Sequence, residues 1–537
     1  MNRRRFVESH VNAVAASGLI ASASRAFGAD PAQTDRSKSQ SASGLGINLT
    51  GLKDWNREHP FVDPFRLART WISQAEGKRF GQGPPLELDE HGWVKRLEPG
   101  CWAETLLYTN QKDHIPEGRY RIDFKGRGRL ETGLNARFAG QSGHVAAFDV
   151  ARHGEGISLR INATDPNDPV RDIRITPPGV RKLDTEEPFR KEFLDLWRGM
   201  GLVRFMDWME TNGSEQVSWK DRPKLEDATW TTRGAPLETI IRLANRLRAD
   251  AWVCVPHQAD NDYVEKMADL IREKLDGDLR VWVELSNETW NGIFAQARYF
   301  RELGARGGFA PRNEYQGQLE AYSVRSVQAF RIFDHVFGGQ KHRVVRVLSA
   351  QSVNPWTSET VLSFQDAFRH ADALAIAPYF GNDFGDPKNA EAIEKMTLVE
   401  FMPKVAEAAR ESRKSVVGSL EAARKYGLPL AAYEAGQHLV GHSGAENREK
   451  LTELFHAANR HPDMKRIYAD YLAGWRDAGG GPICLFASVG EYTKWGSWGL
   501  KEWPEDPIEK SPKFAAVREF EVSAGRWWNI GRKPGMA

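Results

Sequence analysis

Two glutamates stand where a short apolar segment of the chain changes into a polar loop with aromatic residues. Glu288 ends the segment Val283–Glu288, and Glu434 ends the segment Leu430–Glu434. In a β/α barrel the carboxyl ends of all strands meet at one face, and that face carries the chemistry. Two carboxyl groups that face each other can cleave a glycosidic bond. The two segments therefore indicate this chemistry if both are strands of one barrel.

Short apolar segments and helical segments alternate along the chain from Glu187 onward. Such alternation is typical of βαβ units and a parallel sheet. Gly46–Leu49 supplies one strand, and seven later segments complete the α/β fold of a (β/α)8 TIM barrel, namely 202–206, 251–255, 279–285, 343–348, 371–377, 429–433 and 482–486. Apolar residues recur at helical spacing in 237–248 and 263–275, which predicts two of the helices between the strands.

A different pattern separates the first of these strands from the second. Between about residues 84 and 180, apolar and polar residues alternate in short stretches that Gly, Pro and Asn interrupt. This alternation predicts an antiparallel β-sandwich that is inserted into the barrel. We expect the barrel to begin in residues 45–83, a carbohydrate-binding-like sandwich to occupy 84–180, and residues 181–537 to form the rest of the catalytic barrel and a C-terminal tail.

Residues 1–29 resemble a twin-arginine signal peptide. Arg3, Arg4 and Arg5 precede a weakly apolar stretch that ends at Ala23, and small residues near Ala29 suit a signal peptidase. The stretch is too short and too weakly apolar to remain as a stable membrane span. Residues 30–44 have the composition of a linker. We expect export by the twin-arginine translocase, so that the protein is periplasmic or secreted; a disordered basic terminus is the alternative.

The charges of the chain are almost balanced, with 74 Lys and Arg against 72 Asp and Glu among 537 residues. This balance argues against a nucleic-acid-binding protein and suits an uncharged polysaccharide or oligosaccharide substrate. No metal-site spacing is recognisable, and Gly479–Gly481 lacks the lysine of a phosphate-binding loop and is expected to turn the chain into the last strand. We expect no cofactor and no metal. Cys254 and Cys484 lie in apolar segments and are expected to be buried thiols.

The order of the strands and the positions of the two glutamates resemble those of the clan A glycoside hydrolases. In that superfamily an Asn-Glu pair ends the fourth barrel strand and a Glu ends the seventh, as Asn287–Glu288 and Glu434 do here. The resemblance implies that Glu288 is the general acid and base, that Glu434 is the nucleophile, and that Asn287 binds the substrate hydroxyl next to the reacting carbon. Thr289 follows the pair, where the superfamily commonly has proline.

The resemblance also implies roles for residues near other strand ends. Arg204 would hold the nucleophile ionised, and Tyr379 would donate a hydrogen bond to it. His257 follows the third strand and would contact the substrate. Three tryptophans that lie beyond strand ends are expected to contact sugar rings, namely Trp290, Trp495 and Trp498.

Several of these residues also have a structural interpretation. Glu288 follows a serine and an asparagine that can begin a helix, so that it would cap that helix. Glu434 would be a buried partner of Arg204, and His257 would belong to the scaffold. A second Asn-Glu pair, Asn313–Glu314, is expected at a helix start.

These features predict a retaining glycosidase that cleaves a β-linked polysaccharide, such as a cellulose-like glucan or xylan, internally and by double displacement. The sandwich would contact carbohydrate or close one wall of the cleft. One alternative is a carbohydrate-binding or cellulose-binding protein on the same barrel that has no turnover. Another is a protein that trims or holds a nascent exopolysaccharide in the periplasm.

Overall fold

The computed structural model of the protein describes residues 43–151, 154–310 and 312–530. The predicted signal peptide in residues 1–29 lies outside the described residues, as does the predicted linker apart from its last two residues. Within the described ranges, no helix combines the length and the apolar character that a membrane crossing requires.

The described chain starts with strand β1 (Leu45–Asn48) and then leaves the barrel for an antiparallel insertion. The strands of the insertion are β2 (Ile72–Ala75), β3 (Glu87–Leu88), β4 (Val94–Arg96), β5 (Cys101–Leu107), β6 (Gly118–Lys125), β7 (Gly128–Leu134), β8 (Ala136–Ser142), β9 (Val145–Val150), β10 (Ile157–Thr164) and β11 (Arg171–Thr176). They form two four-stranded sheets, with the orders β2-β5-β10-β7 and β11-β6-β9-β8, and a β3-β4 pair. The expected antiparallel sheets are therefore present.

The insertion has a hydrophobic core of its own. Tyr120 on β6 and Phe148 on β9 stack with their ring centroids 4.9 Å apart, and Leu159 on β10 is fully buried. Their neighbours in each strand point to the opposite face, as the two-residue repeat of a strand requires. The alternation is least regular in strands β7 and β8, because glycine and polar residues interrupt it there. Strand β2 lies before the range that was expected for the sandwich.

Seven further strands close with β1 into a parallel barrel. They are β12 (Leu202–Arg204), β13 (Asp250–Val255), β14 (Val281–Leu285), β15 (Val344–Ser349), β16 (Ala373–Ile376), β17 (Leu430–Ala432) and β18 (Ile483–Leu485). Each strand pairs with the next one in the chain, and β18 pairs with β1. The predicted TIM barrel and its eight strands are confirmed. Cys254 on β13 and Cys484 on β18 are buried thiols, as predicted.

Helices cover the barrel between its strands. Those of the described residues are α1 (Lys191–Trp197), α2 (Leu237–Leu247), α3 (Asn261–Lys274), α4 (Ala295–Arg306), α5 (Glu314–Phe337), α6 (Pro355–Ser363), α7 (Pro387–Ile393), α8 (Leu398–Lys425), α9 (Glu449–Arg460), α10 (Asp463–Asp477) and α11 (Pro512–Ala524). The two predicted helices are α2 and α3. The side chain of Asn313 accepts a hydrogen bond from the Gln316 amide at 3.1 Å, which confirms that the second Asn-Glu pair begins a helix.

The insertion is anchored beside the carboxyl ends of the barrel strands. The Thr109 amide, which follows β5, donates to the Asp54 carbonyl at 3.0 Å in the loop after β1. The His114 ring stacks on Trp503, with centroids 3.6 Å apart, and lies 2.7 Å from the Glu505 carboxylate in the segment after β18. These contacts place one loop of the insertion against the barrel mouth.

Candidate active site

Arg204, the last residue of β12, is completely buried and connects the carboxyl ends of several barrel strands. Its Nε and Nη2 atoms donate to Glu284 at 3.0 and 2.9 Å, and Nη1 donates to Glu434 at 2.9 Å. Further hydrogen bonds reach the side-chain oxygens of Asn48 at 3.1 Å and Asn287 at 2.8 Å. Because its partners belong to β1, to β14 and to the segments that follow β14 and β17, this guanidinium fixes the geometry of the barrel mouth.

Glu284 on β14 is a buried carboxylate that was not identified from the sequence. Besides Arg204, it accepts hydrogen bonds from Trp252 Nε1 at 2.9 Å and from Ser349 Oγ at 2.6 Å. A signal for it was present, since Arg204 and Glu284 are single charges within apolar strands. Buried charges are retained when they are paired and hydrogen-bonded, so each of these residues pointed to the other.

We expect Arg204→Met to lower the free energy of unfolding by about 3–5 kcal/mol, because the variant leaves Glu284 buried without its counter-charge. Urea unfolding, monitored by tryptophan fluorescence, measures the change. Lys266→Met is the control, because it removes the ion pair of 2.9 Å with Asp262 on the exposed face of α3 and should have only a slight effect. Equal stabilities of the two variants would contradict the structural role of Arg204.

Glu434 follows β17 by two residues and is 6% exposed. Its Oε1 atom accepts the hydrogen bond from Arg204, and its Oε2 atom accepts one from the Tyr379 hydroxyl at 3.0 Å. The structure therefore brings together three residues that the sequence placed at different strand ends. The expected ion pair between Glu434 and Arg204 is present, and it satisfies the structural interpretation as well as the catalytic one.

Glu288 lies beyond the end of β14 and is partly exposed at the barrel mouth. Its carboxyl group accepts hydrogen bonds from Asn291 Nδ2 at 2.8 Å and from the Tyr433 hydroxyl at 3.3 Å. The helix-cap interpretation of Glu288 is wrong, because the next helix, α4, begins only at Ala295. Ser286 and Glu288 have φ values of 61° and 41°, which are strained for residues other than glycine. The surrounding structure therefore holds the backbone of Ser286, Asn287 and Glu288 in one conformation.

The two glutamates differ in what stabilises their negative charge. Burial raises the pKa of Glu434, but the Arg204 cation and the Tyr379 hydroxyl oppose that rise. Burial, reinforced by the negative charge of Glu434, raises the pKa of Glu288 to about 7. Only neutral groups donate to Glu288, so the first proton to leave this pair comes from Glu434. At neutral pH the site can therefore hold a carboxylate and a carboxylic acid together.

Asn287 is oriented by its neighbours. Its Oδ1 atom accepts the hydrogen bond from Arg204, so its Nδ2 atom is directed away from the guanidinium and donates to Asn212 at 3.1 Å. Asn212 is exposed at the mouth, and an amide nitrogen has two hydrogens to donate. One donor hydrogen of Asn287, a residue that is 2% exposed, thus has no partner among the described residues.

Aromatic rings surround the Glu434 side of the site. The Trp498 ring packs against Tyr379, with centroids 5.8 Å apart, and against His438 and Phe486 at 5.0 and 5.7 Å. Trp498 is partly exposed and lies beside the residue that binds Glu434, and its expected contact with a sugar ring stays a prediction. His438 was not selected from the sequence as a site residue, and burial lowers its pKa to about 4, so its ring is neutral at pH 7.

Two of the selected residues lie less directly at the carboxyl groups. His257 is buried and packs edge-on against Tyr299 of α4 at 5.1 Å, and burial lowers its pKa to about 4. Trp290 is half-buried and packs against the barrel core. The position of His257 agrees with its scaffold interpretation, and the expected contact of Trp290 with a sugar ring stays a prediction.

A groove of about 610 Å³ extends from Trp498 along the loops after β18, β1 and β12. Trp495 and Trp55 line it and are 65% and 50% exposed, so both present indole surface to solvent. Thr109 and Asn110 of the insertion form part of its wall. Within the described part of the chain, no group of His, Cys, Asp and Glu side chains has the arrangement of a metal site.

No family model matches the chain, and a search of curated proteins finds no relative. Solved structures that are similar include a family 51 arabinofuranosidase from Xanthomonas axonopodis pv. citri, with 10% identity and a TM-score of 0.36. That match covers 59% of this chain and 63% of the other, which is less than two thirds of its length.

Two further matches are at 13% identity. A family 51 α-L-arabinofuranosidase from Bifidobacterium longum has a TM-score of 0.40, with 65% of this chain and 71% of the other covered. A family 5 broad-specificity endoglucanase from Bacteroides salanitronis has a TM-score of 0.36, with 62% and 86% covered.

Proposed function

We propose that the protein is a retaining glycoside hydrolase that cleaves a β-linked polysaccharide by double displacement. The observation that carries this proposal is the pairing of Glu434, which is ion-paired with Arg204, with Glu288, whose pKa is raised to about 7. An ionised and a protonated carboxyl group at one barrel mouth are the two groups that the reaction needs.

In the first step the Glu434 carboxylate attacks the anomeric carbon of the sugar. The glycosidic carbon–oxygen bond breaks, and the departing oxygen takes the proton of Glu288. Glu434 is then an ester of the sugar, and Glu288 is a carboxylate. Loss of the negative charge on Glu434 lowers the pKa of Glu288, because that charge is one of the causes that raise it.

In the second step the Glu288 carboxylate removes a proton from water, and the water oxygen attacks the anomeric carbon from the side that the leaving group has vacated. The ester bond to Glu434 breaks, and both glutamates regain their initial protonation states. Two inversions at the same carbon give a product with the configuration of the substrate. Asn287 donates its free hydrogen to the hydroxyl next to the anomeric carbon.

The exposed indole surfaces of Trp55 and Trp495 support a polymeric substrate, such as a cellulose-like glucan or xylan that is cleaved internally. The same surfaces favour the second candidate function, a carbohydrate-binding protein without turnover. We also propose export to the periplasm or medium, on the twin-arginine pattern alone. Cell fractionation tests that proposal.

Hydrolysis and binding of β-glucans, xylan and mannan by the purified protein test the proposed function. Release of reducing sugar from one of these polymers, at a rate that is maximal between the acidic and alkaline limbs of a bell-shaped pH profile, would support it. Binding of a polymer without release of sugar would instead support the carbohydrate-binding function.

We expect Tyr379→Phe to reduce kcat/KM by about tenfold to about 100-fold, the value of a hydrogen bond to a charged group. The Tyr379 hydroxyl lowers the pKa of Glu434, so its removal should also move the acidic limb of the pH profile to higher pH. Tyr426→Phe is the control, because Tyr426 donates to Glu359 at 2.7 Å, away from the barrel mouth. An unchanged acidic limb in Tyr379→Phe would contradict the role of this hydroxyl.

A further inference from the structure

The aromatic groove lies on the side of the barrel that is opposite to Glu288. Its lining comes from the segments after β18, β1 and β12, whereas Glu288 follows β14. In the closed barrel β14 is four strands away from β18 in either direction, so the two stand across the mouth from each other. The groove therefore extends away from the acid and past the nucleophile.

This position identifies the part of the substrate that the groove can hold, if the proposed double displacement is correct. Glu288 gives its proton to the leaving-group oxygen, so the leaving group lies on the Glu288 side. The sugar that becomes attached to Glu434, and the units that precede it, then extend to the opposite side. The groove is consequently a site for the glycone, and its volume of about 610 Å³ suits a short stretch of sugar units.

Asp207 is the one groove residue whose carboxyl group has no protein partner among the described residues. It lies three residues after Arg204 and faces the groove together with Trp55 and Trp498. The charges closest to it are already paired, since Lys53 binds Glu210 at 2.6 Å. Burial and the charge of Glu434 act on Asp207, but no hydrogen bond does. Asp207 is partly exposed in the groove, so water or a ligand can complete the hydrogen bonds of its carboxyl group.

The second carboxyl group of the groove, that of Glu491, has protein partners. Glu491 is ion-paired with Arg57 at 2.7 Å and also accepts a hydrogen bond from Asn110 of the insertion. The insertion is thereby fixed to the loop after β18 at the wall of the groove. Among the described residues no cation is ion-paired with Asp207, so an ionised Asp207 makes the inner end of the groove negative. Such a field favours an uncharged sugar over a carboxylate-bearing one.

We propose that this groove is the glycone subsite for an uncharged sugar, and that Asp207 is its specificity-determining residue. The Asp207 carboxyl group accepts hydrogen bonds from sugar hydroxyls, and the Trp55 ring packs on an apolar face of a sugar unit. An acidic sugar is rejected because its carboxylate would meet the negative inner end of the groove.

Calorimetric titration of the full chain tests this assignment. Glu288→Gln serves as the background variant, so that the probes are not consumed. The neutral probes are cellobiose, xylobiose and mannobiose, and the acidic probe is cellobiouronic acid. Adding Asp207→Asn should weaken the binding of the best neutral disaccharide by about tenfold to about 100-fold. It should also reduce the ratio between the affinities for that disaccharide and for the acidic probe. Trp55→Ala should weaken the binding of the same disaccharide.

Glu210→Gln in the same background is the matched control. It removes a nearby carboxylate that interacts with Asp207 electrostatically but does not line the groove. Equal losses in Asp207→Asn and Glu210→Gln would overturn the direct contact, as would unchanged affinity in Asp207→Asn. Failure of every neutral probe to bind, or a preference for the acidic probe, would overturn the subsite assignment.

The same experiment separates this inference from the proposed reaction. If the wild-type protein hydrolyses no polysaccharide but neutral disaccharides bind in an Asp207-dependent manner, the double displacement fails and the sugar site remains. If hydrolysis occurs and binding does not depend on Asp207, the reaction stands and the role of Asp207 is overturned.

Discussion

Glu434→Gln should reduce hydrolysis of the preferred polysaccharide by about four orders of magnitude or more, the scale that loss of a covalent nucleophile produces. Glutamine keeps the size of the side chain, its oxygen can still accept from Arg204 and its NH2 group can donate to the Tyr379 oxygen, but the amide cannot attack the anomeric carbon. Initial rates of sugar release from the polymer measure the loss. Glu446→Gln is the control, because Glu446 lies later in the same loop, is partly exposed and accepts from the Gly444 amide at 2.8 Å; it should have the wild-type rate.

A smaller replacement separates the chemical role of Glu434 from its structural role. Glu434→Gly opens space at the position of the carboxylate, and azide ion supplied in solution can then attack the anomeric carbon from that side. The expected product is a glycosyl azide of inverted configuration, formed from an activated aryl glycoside. Absence of rescue in a variant that unfolds like the wild type would favour the purely structural interpretation of the ion pair with Arg204.

Glu288→Gln should reduce hydrolysis of a polysaccharide by about two to four orders of magnitude, because an alkoxide must then depart without a proton. Glu288 is protonated below its pKa of about 7, so its acid function is present at lower pH and is lost as the pH rises through that value. The alkaline limb of kcat/KM near pH 7 should therefore disappear in the variant. A dinitrophenyl glycoside needs no proton to leave, so its first step should be much less affected.

A second carboxyl group must be considered in the pH measurement. Burial and the charge of Glu434 raise the pKa of Asp207 to about 7 as well. Asp207→Asn is therefore the necessary control, and it should retain the alkaline limb whatever its effect on substrate binding. If Asp207→Asn removes the limb and Glu288→Gln keeps it, Glu288 is not the general acid.

The sequence was sufficient for the barrel because its strands are short, apolar and buried on both faces, a pattern that is independent of the loops. Glu288 and Glu434 could be placed at one mouth for the same reason. Glu284 was overlooked because it lies inside the strand rather than after it, although its single charge in an apolar segment was a usable signal. The pairing of Arg204 with two carboxylates was less predictable, because it depends on which side chains point into the barrel from strands that are distant in the chain.

Loop conformation was less predictable. The serine and asparagine before Glu288 suggested a helix start, but the positive φ values of Ser286 and Glu288 belong to a loop that continues to Phe294. Asp207 gave no sequence signal, because its exposure to the groove depends on loops from β1 and β18. His257 was placed correctly after a strand, yet its ring turns to Tyr299. Such details arise from packing between segments that are far apart in sequence.

The most direct test of the central claim is to trap the sugar on the protein. The protein is incubated with 2-deoxy-2-fluoro glycosides of the gluco, manno, xylo and cellobiosyl series, each with a dinitrophenyl leaving group. In these compounds the hydrolysis of the glycosyl ester is slowed more than its formation. We expect one of them to add the mass of one fluoroglycosyl group to the protein, and peptide mass spectrometry to locate that group on Glu434. Labelling of another residue, or turnover with an inverted product and no labelled protein, would contradict the account.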